Sequence, residues 1–259
     1  GIVRLGAEAG AVEHRVAELL AERLREPAGL PVRVVTEAEG IRDEPGELMV
    51  LLGIPSHHAE IRTVFYEHRI PVLTELAPGP EGFLLRGFFE AERPFVLAAG
   101  IDARGTLYAV GEFLRQVTIT ETGLTLPEKI EVRTAPAFMV RGTQFGQSHI
   151  AKNLAKVRDW TEAETQRVIL DYALAGANVF SDNGDHYEFL KSCDLMAQGG
   201  FGANAGIGPP EWEAKESIGR TGYLCLSVPE AVAAQLERFE EFARKSPPFD
   251  FLKFHGGDG

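Results

Sequence analysis

The stretch Phe251-Leu252-Lys253-Phe254-His255-Gly256-Gly257-Asp258-Gly259 decides how this chain is read. An apolar strand runs into a histidine, two bare glycines and an acid. A barrel strand releases catalytic groups in this way, through a turn that side chains would obstruct. The chain opens at Gly1 and stops one residue after the acid, so the expectation is a piece of a larger enzyme.

Working outward from Phe251, strand-then-helix units recur back to a seam at Thr134-Ala135-Pro136-Ala137. The spacing predicts a first strand over 138–145, then a helix opened by Thr161 and Glu164 as a capping box and ended at Gly176. A second strand follows over 177–181, a helix over 187–196, and a glycine-rich third strand within 199–208. Ser227 and Glu230 read as another capping box, with Pro229 in the first turn of the helix that leads to the fourth strand at 249–254. Four such steps suit the first half of a (β/α)8 barrel, with a flavodoxin-like sheet as the alternative.

Before the seam the grammar differs. Strands are expected over 1–5, 31–36 and 47–52, with a helix over 9–25 whose Val12, Val16, Leu19, Leu20 and Leu24 share one face. A second helix falls near 60–67, and strands 82–89 and 94–99 read as an antiparallel pair. Asp102 is placed to cap a helix in which Gly105 and Ala109 allow close packing on the sheet. Neither this segment nor Leu5-Gly-Ala-Glu-Ala-Gly10 carries a dinucleotide or phosphate-loop spacing, and Glu8 would repel a pyrophosphate. The fold class is thus α/β: a small α+β accessory domain (1–134), then the first half of a (β/α)8 barrel (135–259).

At 259 residues, 44% hydrophobic and 25% charged, the composition is that of a globular protein with ample core. A net charge of -12 argues against a nucleic-acid partner, and no apolar stretch reaches the length of a membrane span. Cys193 and Cys225 have neither metal-ligand spacing nor disulfide density and read as core residues. His57 and His58 read as surface residues far from any acid cluster.

The segments Gly82-Phe-Leu-Leu-Arg86, Phe95 to Tyr108 and Glu112-Phe-Leu-Arg115 resemble the small α/β domain that precedes the barrel in family-20 β-hexosaminidases and family-67 α-glucuronidases. Ala135-Pro-Ala-Phe-Met-Val-Arg-Gly142 is similar to the proline-containing linker into their barrel, whose first strand bears an arginine. His255-Gly-Gly-Asp258 is similar to the His-x-Gly-Gly-Asp-Glu ending of the hexosaminidase fourth strand. It lacks the intervening residue, and Gly259 stands where the general acid would follow. The resemblance implies a glycosidase, or a carbohydrate-binding relative that has lost the acid, in a periplasmic or extracellular setting. It implies that Arg141 holds sugar hydroxyls.

Glycosidases need two carboxyls about the scissile bond, with polar and aromatic side chains to hold the sugar. The ends of the expected strands offer Arg141, Gln144, Gln147 and His149, then Asp182, Asn183, Asp185, His186 and Tyr187, then Glu211 and Trp212, then His255 and Asp258. Asp258, His255 and Asp182 are the catalytic candidates. Arg141, His186, Glu211 and Trp212 are the candidates for substrate contact, with Trp212 equally readable as a loop anchor. The acid-rich Ser181-Asp-Asn-Gly-Asp-His186 lacks the ligand pattern of a calcium loop, so neither a metal nor an organic cofactor is expected.

Overall fold

The computed structural model describes residues 1–29, 31–39, 47–89, 94–120, 123–143, 160–181, 184–206, 208–214 and 223–255. The described residues are mixed α/β, with parallel-rich sheets and six helices among them. The chain divides into two compact units. One comprises Gly1–Arg141, Trp160–Asn178 and Ser192–Leu195, and the other Gly142–Asp159, Val179–Lys191 and Met196–Gly259.

The first unit is built on a six-stranded sheet. Its elements are β1 (Ile2–Leu5), α1 (Ala11–Ala28), β2 (Arg33–Thr36), β3 (Met49–Gly53), α2 (Ala59–Glu67), β4 (Phe83–Phe88), β5 (Phe95–Gly100), α3 (Ala103–Gln116), the hairpin β6 (Thr118–Thr120) with β7 (Gly123–Thr125), and β8 (Glu131–Thr134). The strand order is β2-β1-β3-β5-β4-β8. Strands β2, β1, β3 and β5 run parallel, while β4 pairs antiparallel with both β5 and β8. Central β3 is covered on both faces, which is why Val50-Leu-Leu52 is an unbroken apolar run. Leu51 and Leu97 pack beneath Ile61, Val64 and Phe65 of α2, and the helices α1 and α3 pack together and against the sheet strands.

Sequence grammar located most of these elements. Asp102 caps α3 as expected, its Oδ1 accepting from the Gly105 amide at 2.7 Å. Gly105 lets that helix touch the sheet, since a Cβ there would lie 2.3 Å from the Gly82 carbonyl oxygen. A second close approach was not foreseen. α4 (Glu162–Leu174) belongs to the first unit, and a Cβ on Gly111 of α3 would sit 1.9 Å from the Leu174 carbonyl oxygen.

The second unit carries β9 (Gly142–Thr143), β10 (Val179–Ser181), β11 (Met196–Gly202) and β12 (Phe251–His255), all parallel and adjacent in chain order. Among the described residues the order never reverses, unlike the flavodoxin-like alternative, and no ladder joins strands from either side of Thr134. α5 (Tyr187–Ser192) and α6 (Pro229–Lys245) lie between strands in the chain.

Three expectations here need correction. The first strand was placed over 138–145, of which 144 and 145 lie outside the described residues; Phe138, Met139 and Val140 are exposed, and among the described residues of that stretch Gly142 and Thr143 pair with β10. The Asn178 side chain replaces the ladder, accepting from the Arg141 amide and donating to the Met139 carbonyl. The helix placed over 187–196 ends at Ser192, because Asp194 turns the chain at φ 56° and β11 has begun by Met196. Thr161 and Glu164 form their capping box, but Ser227 and Glu230 do not: Val228 is the N-cap of α6 and Pro229 holds its first turn.

Backbone cannot yield as a flexible side chain can, so overpacking at Gly111 has no cheap relief. Gly111→Ala is expected to cost about 3 kcal/mol of stability in a denaturant titration.

Candidate functional site

The second sheet has two distinct faces. Phe201 of β11 and Phe254 of β12 pack against Phe239, and Phe201 also meets Phe242, so this face is covered by α6. Side chains alternate along a strand. The opposite face therefore presents Ser181 from β10, Gln198 and Gly200 from β11, and Phe251 and Lys253 from β12. The register aligns Ser181 with Gln198 and Gln198 with Phe251, and sets Gly200 beside Lys253 one pleat further on. Gln198 Nε2 reaches the Ser181 hydroxyl at 3.5 Å. Phe251 is 37% exposed and Lys253 is exposed. An aromatic ring, an amide, a hydroxyl and an ammonium thus share one open face.

The anticipated residues lie around this face unevenly. Asp182, Asn183, Gln144, Gln147, His149 and Asp258 fall outside the described residues, and of His255 only the backbone is described, closing β12. His186 is half-buried in the segment between β10 and α5. Glu211 and Trp212 follow β11 in a short 3-10 turn, Pro210–Trp212. Glu211 is exposed, and Trp212 is half-buried over Gly208, where a Cβ would lie 2.7 Å from the indole. Gln198, Phe251 and Lys253 were missed as site residues, although their parity opposite Phe254 was available as a signal.

Arg141 is placed differently from its expectation. It precedes β9 instead of following it, and it lies in the first unit. Its Nε donates to the Gly176 carbonyl at 2.6 Å, one terminal nitrogen donates to the Phe138 carbonyl, and the other to the Glu81 carboxylate and, at 2.7 Å, to the Tyr108 hydroxyl. Glu81 also takes Arg104 at 2.6 Å and Asn178 Nδ2 at 3.1 Å. Asp194 holds the other side of Arg104 at 3.1 Å. Burial alone would lower the Arg104 pKa, but the charges of Asp194 and Glu81 outweigh it and raise the value. Burial, then the Glu81 charge, pushes the Tyr108 phenol well above its ordinary range. A guanidinium engaged on four acceptors has little left for sugar hydroxyls.

The histidine pair also departs from the surface reading. His58 is fully buried, with Nδ1 2.7 Å from Glu37 and Nε2 3.2 Å from the Arg4 carbonyl. His57 Nδ1 lies 2.7 Å from Glu13, whose carboxylate also accepts from the amides of Gly10 and Ile54 at 2.9 Å. Glu37 further accepts from the amides of Ala7 and Ala59 at 3.1 Å and from Glu60. The acids were invisible to the eye because they lie twenty and more positions away in sequence. Each supplies negative charge at a helix start, Glu13 at α1 and Glu37 at α2.

No protein-family profile and no curated protein matches this sequence. Solved structures do match it. A family GH115 4-O-methyl-α-glucuronidase, BtGH115A, described with specificity for decorated arabinogalactans, superposes with a TM-score of 0.52 at 15% identity, over 100% of this chain and 37% of its own. A family GH20 β-N-acetylglucosaminidase gives 0.52 at 14% identity over 99% of this chain and 56% of its own. CpGH84B gives 0.50 at 14% identity over 98% and 40%. The fold is glycosidase-like. At these identities the likeness is one of fold, and the chain spans roughly two-fifths to just over half of each of these proteins.

Burial alone would raise the Glu37 pKa, but hydrogen bonds from the Glu60, Ala59 and Ala7 amides and the charge of His58 hold it below the ordinary 4.5. A depressed carboxylate stabilises the fold above its unfolded value and loses that contribution as pH falls through the folded one. At pH 7, Glu37→Gln should be less stable than the parent by about 2 kcal/mol. In urea titrations that gap should close as pH drops below 4.5.

Proposed function

We propose that the chain is the accessory α/β domain (1–134) and the first four strand-helix units (135–259) of a (β/α)8 glycoside hydrolase that cleaves O-glycosyl bonds. The observation that carries this reading is the end-to-end likeness to three glycosidase-type structures, two of them named for the glycosides they process. The chain-ordered parallel sheet supports it too, since a barrel wall is laid down strand by strand in that way. Exposed Phe251, Leu252 and Phe254 on β12 mark an edge that further strands would cover.

In this reading Asp258 and Asp182 supply the two carboxyls, and His255 is the third catalytic group. His186, Glu211 and Trp212 line the approach. Arg141 is left to its ionic network, where it fastens the start of β9. A general acid is still required, and Gly259 occupies the position where the resembled hexosaminidases carry theirs. That departure favours one alternative, a carbohydrate-binding protein on the same scaffold without hydrolysis.

A protein extended through the remaining strand-helix units should hydrolyse an aryl glycoside, and Asp258→Asn should cut kcat by about 10²- to 10⁴-fold. The 259-residue chain alone should release no aryl group, because its pocket lacks the wall that would keep an acid protonated near neutral pH. Tight oligosaccharide binding by the longer protein without turnover would select the binding alternative.

A further inference from the structure

Every hydrogen bond to the Glu81 carboxylate comes from a group that can only donate, and we propose that this carboxylate is an acid-released clasp on the entries to β9 and β10. Ionised, it holds Arg141 and Asn178 in place. Protonated, it lets both go. The inference stands apart from the glycosidase reading and does not depend on it.

Glu81 is buried in the turn before β4. Its oxygens accept from Arg104 of α3 at 2.6 Å, from Arg141, and from Asn178 Nδ2 at 3.1 and 3.3 Å. A guanidinium and an amide NH2 donate and cannot accept. A proton added to this carboxyl would therefore aim an O–H at N–H groups and remove an acceptor that they use. The titratable and charged groups about it come from three elements. Arg104 and Tyr108 belong to α3, Arg141 to the approach to β9, and Asp194 to the turn before β11. Asp102, the cap of α3, accepts from the Glu81 backbone N–H at 2.9 Å. With Glu81 ionised, two guanidinia face two carboxylates. With Glu81 protonated, Asp194 still serves Arg104, and among the described residues Arg141 is left without a counter-charge.

The clasp acts where the backbone ladder is shortest. Among the described residues β9 meets β10 through two pairs, Gly142 with Val179 and Thr143 with Phe180. Ahead of them the chain is tied by Asn178, which is fully buried. Its backbone N–H donates to the Arg141 carbonyl at 2.9 Å, its Oδ1 accepts from the Arg141 backbone N–H at 2.8 Å, and its Nδ2 donates to the Met139 carbonyl at 2.8 Å. An amide side chain can be set either way round. The Glu81 carboxylate and the Met139 carbonyl both demand Nδ2 on their side, which turns Oδ1 to the Arg141 backbone. One carboxylate thus fixes the Arg141 side chain directly and helps fix its backbone through Asn178. These contacts need the ionised group, so their contribution is present at neutral pH and is lost as acid protonates it.

The test is amide hydrogen exchange, followed by NMR on the isotopically labelled 259-residue chain and expressed as protection relative to Leu51 in central β3. Between pH 7 and about pH 3, below the ordinary glutamate range, the Arg141 and Asn178 amides should lose about a hundredfold in relative protection. Glu81→Gln removes the charge at nearly constant size and should show that loss already at pH 7. Asn178→Asp sets a second carboxylate against Glu81, so the sign should reverse: protection at Arg141 is low at pH 7 and rises in acid, where one proton bridges the pair. Parent-like protection in Glu81→Gln at pH 7 would overturn the proposal. So would protection at Arg141 and Asn178 that survives acid in the parent, or that falls there only in step with Leu51, which is global unfolding. Should Glu81→Gln not fold, Asn178→Asp decides: a rise at Arg141 in acid sustains the clasp, and a fall like the parent's overturns it.

Discussion

The Glu81 carboxylate is the constraint on which the first unit depends. It sits 8% exposed among Arg104, Arg141 and Asn178, with Asp194 balancing the second positive charge. A buried carboxylate without such partners would cost several kcal/mol, and removing one member of an established cluster typically costs about 3 kcal/mol. Glu81 itself adopts φ 56°, a left-handed conformation that costs a non-glycine residue about 1 kcal/mol. The ionic cluster offsets that strain. It also gathers five separate stretches of chain: the turn before β4, helix α3, the approach to β9, the residue before β10 and the turn before β11.

Two further carboxylates do comparable work at the C-terminal edge of the first sheet. In parallel α/β sheets this edge, with its helix N-termini, is where anionic ligands commonly bind. Here Glu13 and Glu37 stand at the starts of α1 and α2 and take up amides there, and His57 and His58 close over them. The chain supplies its own anions, which gives a physical reason why this edge lacks a dinucleotide fingerprint. Gly6 belongs to the same arrangement, since a Cβ there would fall 1.9 Å from the His57 carbonyl oxygen.

The second unit is asymmetric. One face of its sheet buries a cluster of phenylalanines under α6, while the other offers polar groups and one aromatic ring. Its outermost strand, β12, keeps apolar side chains exposed.

Much of the architecture was legible in the residues alone. Apolar periodicity located α1, Asp102 and Thr161 marked helix starts, and the separate ladders before and after Thr134 follow the change in strand-helix spacing. These signals are local, carried by residues within a turn or a pleat of one another. What the sequence left open were the long-range pairings. Arg141 reads as a free guanidinium until Glu81, sixty residues away, is brought beside it. His57 and His58 read as surface until Glu13 and Glu37 close on them. Lys253 reads as one lysine in an apolar strand until the packing of Phe254 settles which way it turns. A side chain's charge is written in its identity. Whether that charge is neutralised, buried or left free depends on partners that only the tertiary fold brings within a few ångströms.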